Sequence, residues 1–107
     1  MKKGIWISYD LAVKGDYPSL YAWLDLNKAV ECGNSIAFIK YEFKDDLVIE
    51  LKKDLESKVN FTNGDRVYVI YSNKDDQKIK GTFIRGGRKS NPWTGYAPDL
   101  NDIIDSM

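Results

Sequence analysis

The fold of this chain is decided by its central stretch, residues 28–43, which reads KAVECGNSIAFIKYEF. Gly33-Asn34 separates two extended runs, and glycine supplies the positive φ that a two-residue type II′ hairpin turn needs. The second run alternates between an inward and an outward set of side chains, with Ala37, Ile39, Tyr41 and Phe43 in the first and Phe38, Lys40 and Glu42 in the second. Such alternation is typical of a strand with one buried face. The stretch therefore predicts a β-hairpin with strands over residues 28–32 and 35–43.

A strand and a helix precede this hairpin. Residues 5–11 alternate in the same way, which indicates a strand with one apolar face. Asp16 is a good N-cap, and Pro18 suits the first turn of a helix, where its missing N–H breaks no hydrogen bond. We therefore expect a helix from near Asp16 to near Asn27.

A second helix and two strands follow the hairpin. Asp45 or Asp46 is expected to cap the helix. Its expected core stripe recurs at helical spacing and consists of Val48, Leu51, Leu55 and Val59. The next strands are predicted over residues 66–72 and 78–85, with the polar run 73–77 as the loop between them. The element order is then β-α-β-β-α-β-β, and its first six elements are those of the ferredoxin-like, or split βαβ, arrangement.

These elements predict an α+β fold, namely a ferredoxin-like βαββαβ unit with an additional C-terminal strand and with both helices on one face of an antiparallel sheet. The 107 residues suit a single domain, for which we expect a core over residues 4–96 and a polar tail over residues 97–107. The second sheet face would stay uncovered. An uncovered sheet face with aromatic side chains typically serves RNA stacking or dimerisation.

Composition excludes several classes of function. Lysine and arginine together number 16, as do aspartate and glutamate, so no overall positive field attracts nucleic acid. The absence of histidine excludes Ser-His-Asp and Cys-His catalysis as well as histidine-bound metals. Cys32 is the single cysteine, so it forms neither an internal disulfide nor a zinc cluster, and it fits a reducing compartment. With no apolar run near the ~18–20 residues of a membrane span and no signal peptide, we expect a cytoplasmic protein without membrane contact.

The charges are unevenly spread, and the segment from Gln77 to Pro98 contains cations but no acid. It contains five cationic residues and one tryptophan that we predict to bind nucleic acid, namely Lys78, Lys80, Arg85, Arg88, Lys89 and Trp93. Gly86-Gly87 allows the backbone to approach a phosphate that the cations neutralise, and Trp93 can stack on a base at ~1–3 kcal/mol. The alternative is a solvated loop whose Trp93 packs back on the sheet or on a dimer partner.

Asp10 is the candidate catalytic and metal-binding residue. It stands near the end of the first predicted strand, where a carboxylate can hold Mg²⁺ together with phosphates and waters. The metal could then activate water, which matters because the chain has no histidine to act as a base. The alternative is a structural aspartate that accepts N–H bonds from its own loop.

Short motifs along the chain resemble the SinR-like proteins. They are Ile7-Ser8-Tyr9-Asp10-Leu11, Gly15-Asp16-Tyr17 with the leucine-rich helix after it, Cys32 and Ser35 at the hairpin, and Trp93-Thr94-Gly95-Tyr96. SinR-like proteins share a ferredoxin-like superfamily with the CRISPR adaptation subunit and the antitoxin endoribonuclease GhoS. The resemblance implies a homodimer, association with nucleic acid and, in some members, magnesium-dependent cleavage of phosphodiesters. In that superfamily an aspartate ends the first strand, and Asp10 matches it. The chain departs from the pattern in its Gly86–Tyr96 segment and its zero net charge.

These observations lead to one main hypothesis and two alternatives. The main hypothesis is a small homodimeric protein that associates with RNA or DNA. A stronger form of this hypothesis adds that the protein is a divalent-metal-dependent nuclease with Mg²⁺ as cofactor. The first alternative is a non-enzymatic protein-interaction module, such as an antitoxin-like protein or a phage or defence accessory protein. The second is a small-ligand regulatory domain, for which the sequence has no ligand signature.

Overall fold

The computed structural model describes residues 1–98, and seven secondary-structure elements lie within them. In chain order they are β1 (Lys2–Asp10), α1 (Tyr17–Leu26), β2 (Val30–Glu31), β3 (Ile36–Glu42), α2 (Leu47–Lys58), β4 (Arg66–Ser72) and β5 (Ile79–Arg85). The predicted element order is confirmed. Neither helix in this part of the chain has the length and apolar character needed to cross a membrane. The tail predicted over residues 97–107 lies outside the described residues from residue 99 onward.

The five strands form one open sheet in the spatial order β2-β3-β1-β4-β5. Every neighbouring pair is antiparallel. β1 therefore lies in the middle of the sheet although it comes first in the chain, and β5 is a long edge strand that pairs only with β4 among the described residues. The predicted α+β class, with two helices and an antiparallel sheet, is confirmed.

Alternating side chains of the sheet and one stripe from each helix form the hydrophobic core. The fully buried strand residues are Ile5, Ile7, Ile39, Val67 and Val69. Leu20 of α1 and Leu51 of α2 belong to the same cluster, and burial of each such side chain stabilises the fold by about 1.5–3 kcal/mol. Because both helices pack against the strand face of Ile5, the opposite face remains uncovered. We call it the open face, and it carries Trp6, Phe38, Tyr68 and Phe83.

Both helix starts follow the capping that the sequence predicts. One oxygen of the Asp16 carboxylate accepts the Ser19 N–H at 3.2 Å, and the other accepts the Asn60 N–H at 2.9 Å. Of the two candidates for α2, Asp46 is the cap, and it accepts the Ile49 N–H at 3.0 Å. The bonds to Ser19 and Ile49 satisfy amides that the first helical turn leaves free.

The core stripe of α2 begins one residue earlier than predicted. Leu51, Leu55 and Val59 are buried as expected, but Leu47 is buried in place of Val48, which packs only partly against the core. The four buried residues recur every four positions and therefore share one helix face.

The central hairpin differs from the prediction in its loop. β2 is only two residues long, and the Cys32 N–H donates to the Ile36 carbonyl at 3.1 Å. This pairing leaves residues 33–35 in the loop, so the predicted two-residue turn is wrong. Positive φ occurs at Gly33 (133°) and also at Ser35 (62°). A left-handed residue at the end of the loop is typical of three-residue hairpin connections.

Candidate nucleic-acid interface

Asp10 and Arg66 stand directly opposite each other in the β1–β4 register. Nη2 of Arg66 donates a hydrogen bond to Oδ2 of Asp10 at 2.9 Å. The Asp10 side chain is 58% exposed and that of Arg66 is 28% exposed, so solvent screens the pair only in part. Nε of Arg66 is buried and has no hydrogen-bond partner within residues 1–98. The candidate catalytic carboxylate is thus part of an ion pair.

Asp65, rather than Asp10, is the aspartate that accepts backbone N–H bonds from the loops at this end of the sheet. Asp65 is 1% exposed. Its Oδ1 accepts the Ala12 N–H at 2.7 Å, while its Oδ2 accepts the Thr62 N–H at 2.7 Å. These bonds tie the loop after β1 to the loop before β4. Asp65 therefore fixes the strand ends on which Asp10 and Arg66 stand.

Asp10 and Arg66 border a groove on the open face. The volume of this groove is about 290 Å³. Its other lining residues are Ser8, Tyr68, Phe83 and Arg88. The arginine of the loop after β5 is thereby brought close to the end of β1, although 78 positions separate Arg88 from Asp10 in the sequence.

A second groove, of about 480 Å³, adjoins the first because both are lined by Arg66, Phe83 and Arg88. We call it the cationic groove, and it is lined by Arg66, Phe83 and residues 88–93. It unites three residues predicted from the sequence, namely Arg88, Lys89 and Trp93. Together the two grooves place a carboxylate, two guanidinium groups, an ammonium group and several aromatic rings at one end of the sheet.

Trp93 is accessible in the cationic groove. The residue is 67% exposed. Backbone bonds from Thr94 to the Asn91 carbonyl (3.2 Å) and from Tyr96 to the Trp93 carbonyl (3.1 Å) shape the segment around it. The alternative in which Trp93 packs back on its own sheet does not describe this structure, because most of the ring faces solvent.

The structure separates the other predicted cations from this site. Lys78 and Lys80 lie at the start of β5, about 16 Å and about 10 Å from Phe83 at ~3.3 Å per strand residue. Lys80 forms an ion pair with Asp76 at 3.1 Å. The guanidinium carbon of Arg85 lies 5.6 Å from the ring centre of Phe61, a cation–π contact. Only part of the predicted cationic set therefore surrounds the groove.

Two aromatic pairs lie across neighbouring strands of the open face. The ring centres of Trp6 and Phe38 are 5.0 Å apart, and those of Tyr68 and Phe83 are 4.8 Å apart. Both distances are typical of stabilising aromatic contacts. Trp6 is still 40% exposed, so the first pair can also contact a ligand.

The acids of the open face are paired, whereas several of its cations are not. The Glu42 carboxylate forms an ion pair with the N-terminal amine at 3.1 Å, and the Asp10 carboxylate forms one with Arg66. On this face and in the loop beside it, Lys2, Lys40, Arg88 and Lys89 have no ion-pair partner within residues 1–98. The uncompensated charge of this face is therefore positive although the chain as a whole is neutral.

A magnesium ion would find few ligands at Asp10. No group of three or more potential metal-binding side chains occurs within the described residues. The single carboxylate present already bonds to Arg66, and Mg²⁺ typically requires one or two carboxylates together with phosphates and waters. One copy of the chain thus contributes a single carboxylate at this position, and that carboxylate is bonded to Arg66.

Arg66, Tyr68 and Phe83 were not among the residues predicted to form the site. They come next to Asp10 and Arg88 only through the pairing of β1, β4 and β5. The outward alternation of the two later strands was the available signal, but it does not reveal which residues stand opposite each other.

Comparisons with known proteins supply no relative from which a role could be transferred. No protein-family model, no curated protein and no solved structure matches this chain.

Proposed function

We propose that this chain is a small homodimeric protein that associates with nucleic acid and holds the phosphate backbone in the cationic groove. The observation that carries the proposal is the lining of that groove, where Arg66, Arg88 and Lys89 lie beside the rings of Phe83 and Trp93. Guanidinium groups bind phosphate through charge-assisted and often paired hydrogen bonds. Aromatic side chains stack on bases without regard to sequence.

The architecture supports the same proposal. Within the sheet, β2, β3, β1 and β4 follow one another in space, and α1 and α2 cover one face. We infer that these six elements form a ferredoxin-like unit to which β5 is added. Fold alone does not determine function, so the resemblance to SinR-like proteins contributes only the expectation of a homodimer and of nucleic acid as ligand.

The homodimer in this proposal uses the outer edge of β5. No strand among the described residues pairs with that edge, and an unpaired edge strand readily adds another strand. Pairing of β5 with β5 of a second copy would continue the sheet and leave the open face accessible. Light scattering after size exclusion measures the mass directly, and a monomer at micromolar concentration would contradict this part of the proposal.

The binding experiment compares RNA and DNA oligonucleotides by fluorescence anisotropy at ~50 mM salt, where phosphate contacts are strongest. The double variant Arg88→Ala/Lys89→Ala should bind about tenfold more weakly and should reduce the slope of log affinity against log salt by about 2. The matched control is Lys53→Ala/Lys58→Ala, which removes two exposed cations from α2. Equal losses in both double variants would show that binding is not located in the cationic groove.

Cleavage is the catalytic version of the proposal, with Asp10 as the metal-binding residue. Because a single copy offers one paired carboxylate and the β5–β5 contact keeps the two copies of Asp10 far apart, the remaining ligands would come from phosphate and water. Incubation of labelled RNA and DNA with Mg²⁺ and with EDTA tests it. Cleavage that requires Mg²⁺ and is lost in Asp10→Asn, while binding persists, is the expected result. Intact substrate with Mg²⁺ would leave a binding protein without nuclease activity.

A protein-interaction module is the second candidate function, and the exposed apolar side chains favour it. Val30 is 59% exposed and Ile79 is 69% exposed, at opposite margins of the sheet. A partner protein that covers this surface would bury them together with Trp6. If the unaltered chain bound a defined protein partner but neither RNA nor DNA, that result would favour this candidate.

A further inference from the structure

The four aromatic side chains of the open face form one row across the sheet. Trp6 stands opposite Phe38 in the β1–β3 register, and Tyr68 stands opposite Phe83 in the β4–β5 register. Tyr68 also pairs with Ser8, two residues beyond Trp6 on β1. The two pairs are therefore diagonal neighbours, a relation that long aromatic side chains can bridge. The row crosses β3, β1, β4 and β5 in that order.

Two glycines keep this row flat. The Phe38 ring lies over Gly4, where any added Cβ would approach the ring to 2.9 Å. Tyr68 lies over Gly81 in the same way, since a Cβ there would collide with its phenol. The aromatic side chains occupy the space that larger residues at these two positions would need. Their rings consequently form a low platform along the sheet surface.

One end of the row of aromatic side chains borders the cationic groove. Phe83, its last member, also lines that groove beside Arg66 and Arg88. Across the sheet, strands lie ~4.8 Å apart, so the row spans about 14 Å. A four-stranded sheet with aromatic side chains on its open face stacks about two or three bases in RNA-binding domains. The backbone of such a strand could remain attached to the cations at one end.

We propose that this row binds unpaired bases and that the ligand is a single-stranded rather than a double-stranded nucleic acid. The inference rests on the proposed function, whose phosphate site it extends. A duplex keeps the faces of its bases stacked inside, so it could use the cationic groove but not the platform. The positive charge left unpaired on this face favours a polyanion over an apolar protein surface as the occupant.

Tryptophan fluorescence provides a direct test, because the chain has only three tryptophans. In the variant Trp93→Phe the remaining two are Trp6, which is 40% exposed, and Trp23, which is 3% exposed and bonded to Asp54. Titration with an unpaired oligouridine or oligothymidine of about 12 nucleotides, a length within the usual range of single-strand sites, should quench Trp6. A duplex of the same length should quench it much less.

Affinity measurements complete the test. Trp6→Leu should weaken binding of the single strand by about 5- to 150-fold and leave duplex binding within about twofold. The matched control is Tyr21→Leu, which removes an aromatic side chain that is 53% exposed on α1. Thermal unfolding of each variant shows whether it is folded, and the quenching experiment needs no change at Trp6. The ribose and deoxyribose oligomers distinguish RNA from DNA.

Three results would overturn the inference. Duplex bound as tightly as the single strand, without dependence on Trp6, would remove the platform while leaving the phosphate site and the proposed function intact. A quench of Trp6 that follows protein concentration without oligonucleotide would show that a second copy covers the open face. Failure of both oligonucleotides to bind would reject the proposed function itself, and the platform with it.

Discussion

Oδ2 of Asp10 lies 2.9 Å from Nη2 of Arg66, across the β1–β4 pair at the end of the sheet that also holds the cationic groove. The arginine therefore contacts a carboxylate on one side and lines the groove on the other. Under the proposed function, a phosphate in the groove would compete with Asp10 for the same guanidinium group. The acid would then lower the capacity of Arg66 to bind an anion.

Removal of the Asp10 charge should strengthen nucleic-acid binding. Asp10→Asn retains the size of the side chain but frees Arg66 from its ion pair, and an exposed pair of this kind is worth about 0–1 kcal/mol. We expect up to about fivefold tighter binding at ~50 mM salt, measured by anisotropy without divalent metal. Arg66→Gln should weaken binding and reduce the salt slope by about 1. Weaker binding of Asp10→Asn would instead indicate that the carboxylate itself contacts the ligand.

The local features of this fold could be predicted from sequence, because each depends on residues close together in the chain. Asp16 caps α1 through Ser19, three residues away, and the alternation of β4 is visible within its own seven residues. Side-chain periodicity reports which face a residue occupies. That is sufficient to derive the element order and most of the core.

The site could be predicted only in part, because it depends on strand register. Asp10 and Arg66 are 56 residues apart in the chain, and a shift of the register by one residue would turn one of them to the opposite face. Lys78 and Arg88 belong to the same acid-free segment, yet β5 separates them by its length. Charge clustering along the sequence therefore did not reveal which of these cations lie beside the cationic groove.

Asp65 should be the aspartate on which folding depends. Asp65→Ala leaves the Ala12 and Thr62 amides without their acceptor, and each unpaired buried group costs about 1–3 kcal/mol. We expect a loss of about 2–4 kcal/mol in the free energy of unfolding, measured with urea. The control Asp10→Ala removes an exposed pair and should change stability by less than about 1 kcal/mol. Similar losses in both variants would contradict the structural role of Asp65.

Stability should decrease at alkaline pH through Tyr41. Burial first, and then the hydrogen bond from its hydroxyl to Asp54 at 2.9 Å, raise the pKa of Tyr41 well above the ordinary value of 10.0. The folded state therefore favours the protonated phenol. Its stabilising contribution is complete below the pKa of the unfolded chain and is lost as pH rises from about 10 toward the pKa in the folded state.

Tyr41→Phe tests this pH dependence because phenylalanine has no proton to lose. The variant should be less stable than the parent at about pH 8, and the difference should shrink as pH rises above about 10. Burial also raises the pKa of Tyr9, so the variant should keep part of the decrease in stability at alkaline pH. The control Tyr96→Phe changes a residue that is 83% exposed and should retain the full slope. Parallel profiles of parent and Tyr41→Phe would disprove the assignment.

Gly86 should matter for both stability and binding, whereas its neighbour Gly87 should not. Gly86 has φ +74°, and an added Cβ would collide with the Asp65 carbonyl oxygen and approach Cγ of Arg66 to 3.0 Å. A Cβ at Gly87 would meet no heavy atom within 4 Å. The loop after β5 therefore needs glycine at the first position, because the backbone there presses against the strand that carries Arg66.

Gly86→Ala should lower the free energy of unfolding by about 2–4 kcal/mol, since the left-handed conformation alone costs about 1–2 kcal/mol and the collision adds to it. The same variant should weaken oligonucleotide binding several-fold under conditions where it is folded, because Arg88 and Lys89 shift relative to Arg66. Gly87→Ala should stay within about 0.5 kcal/mol of the parent and bind normally. If Gly87→Ala weakened binding while Gly86→Ala did not, the glycine pair would act through close approach to phosphate, and the position of the loop against Asp65 would be irrelevant to the site.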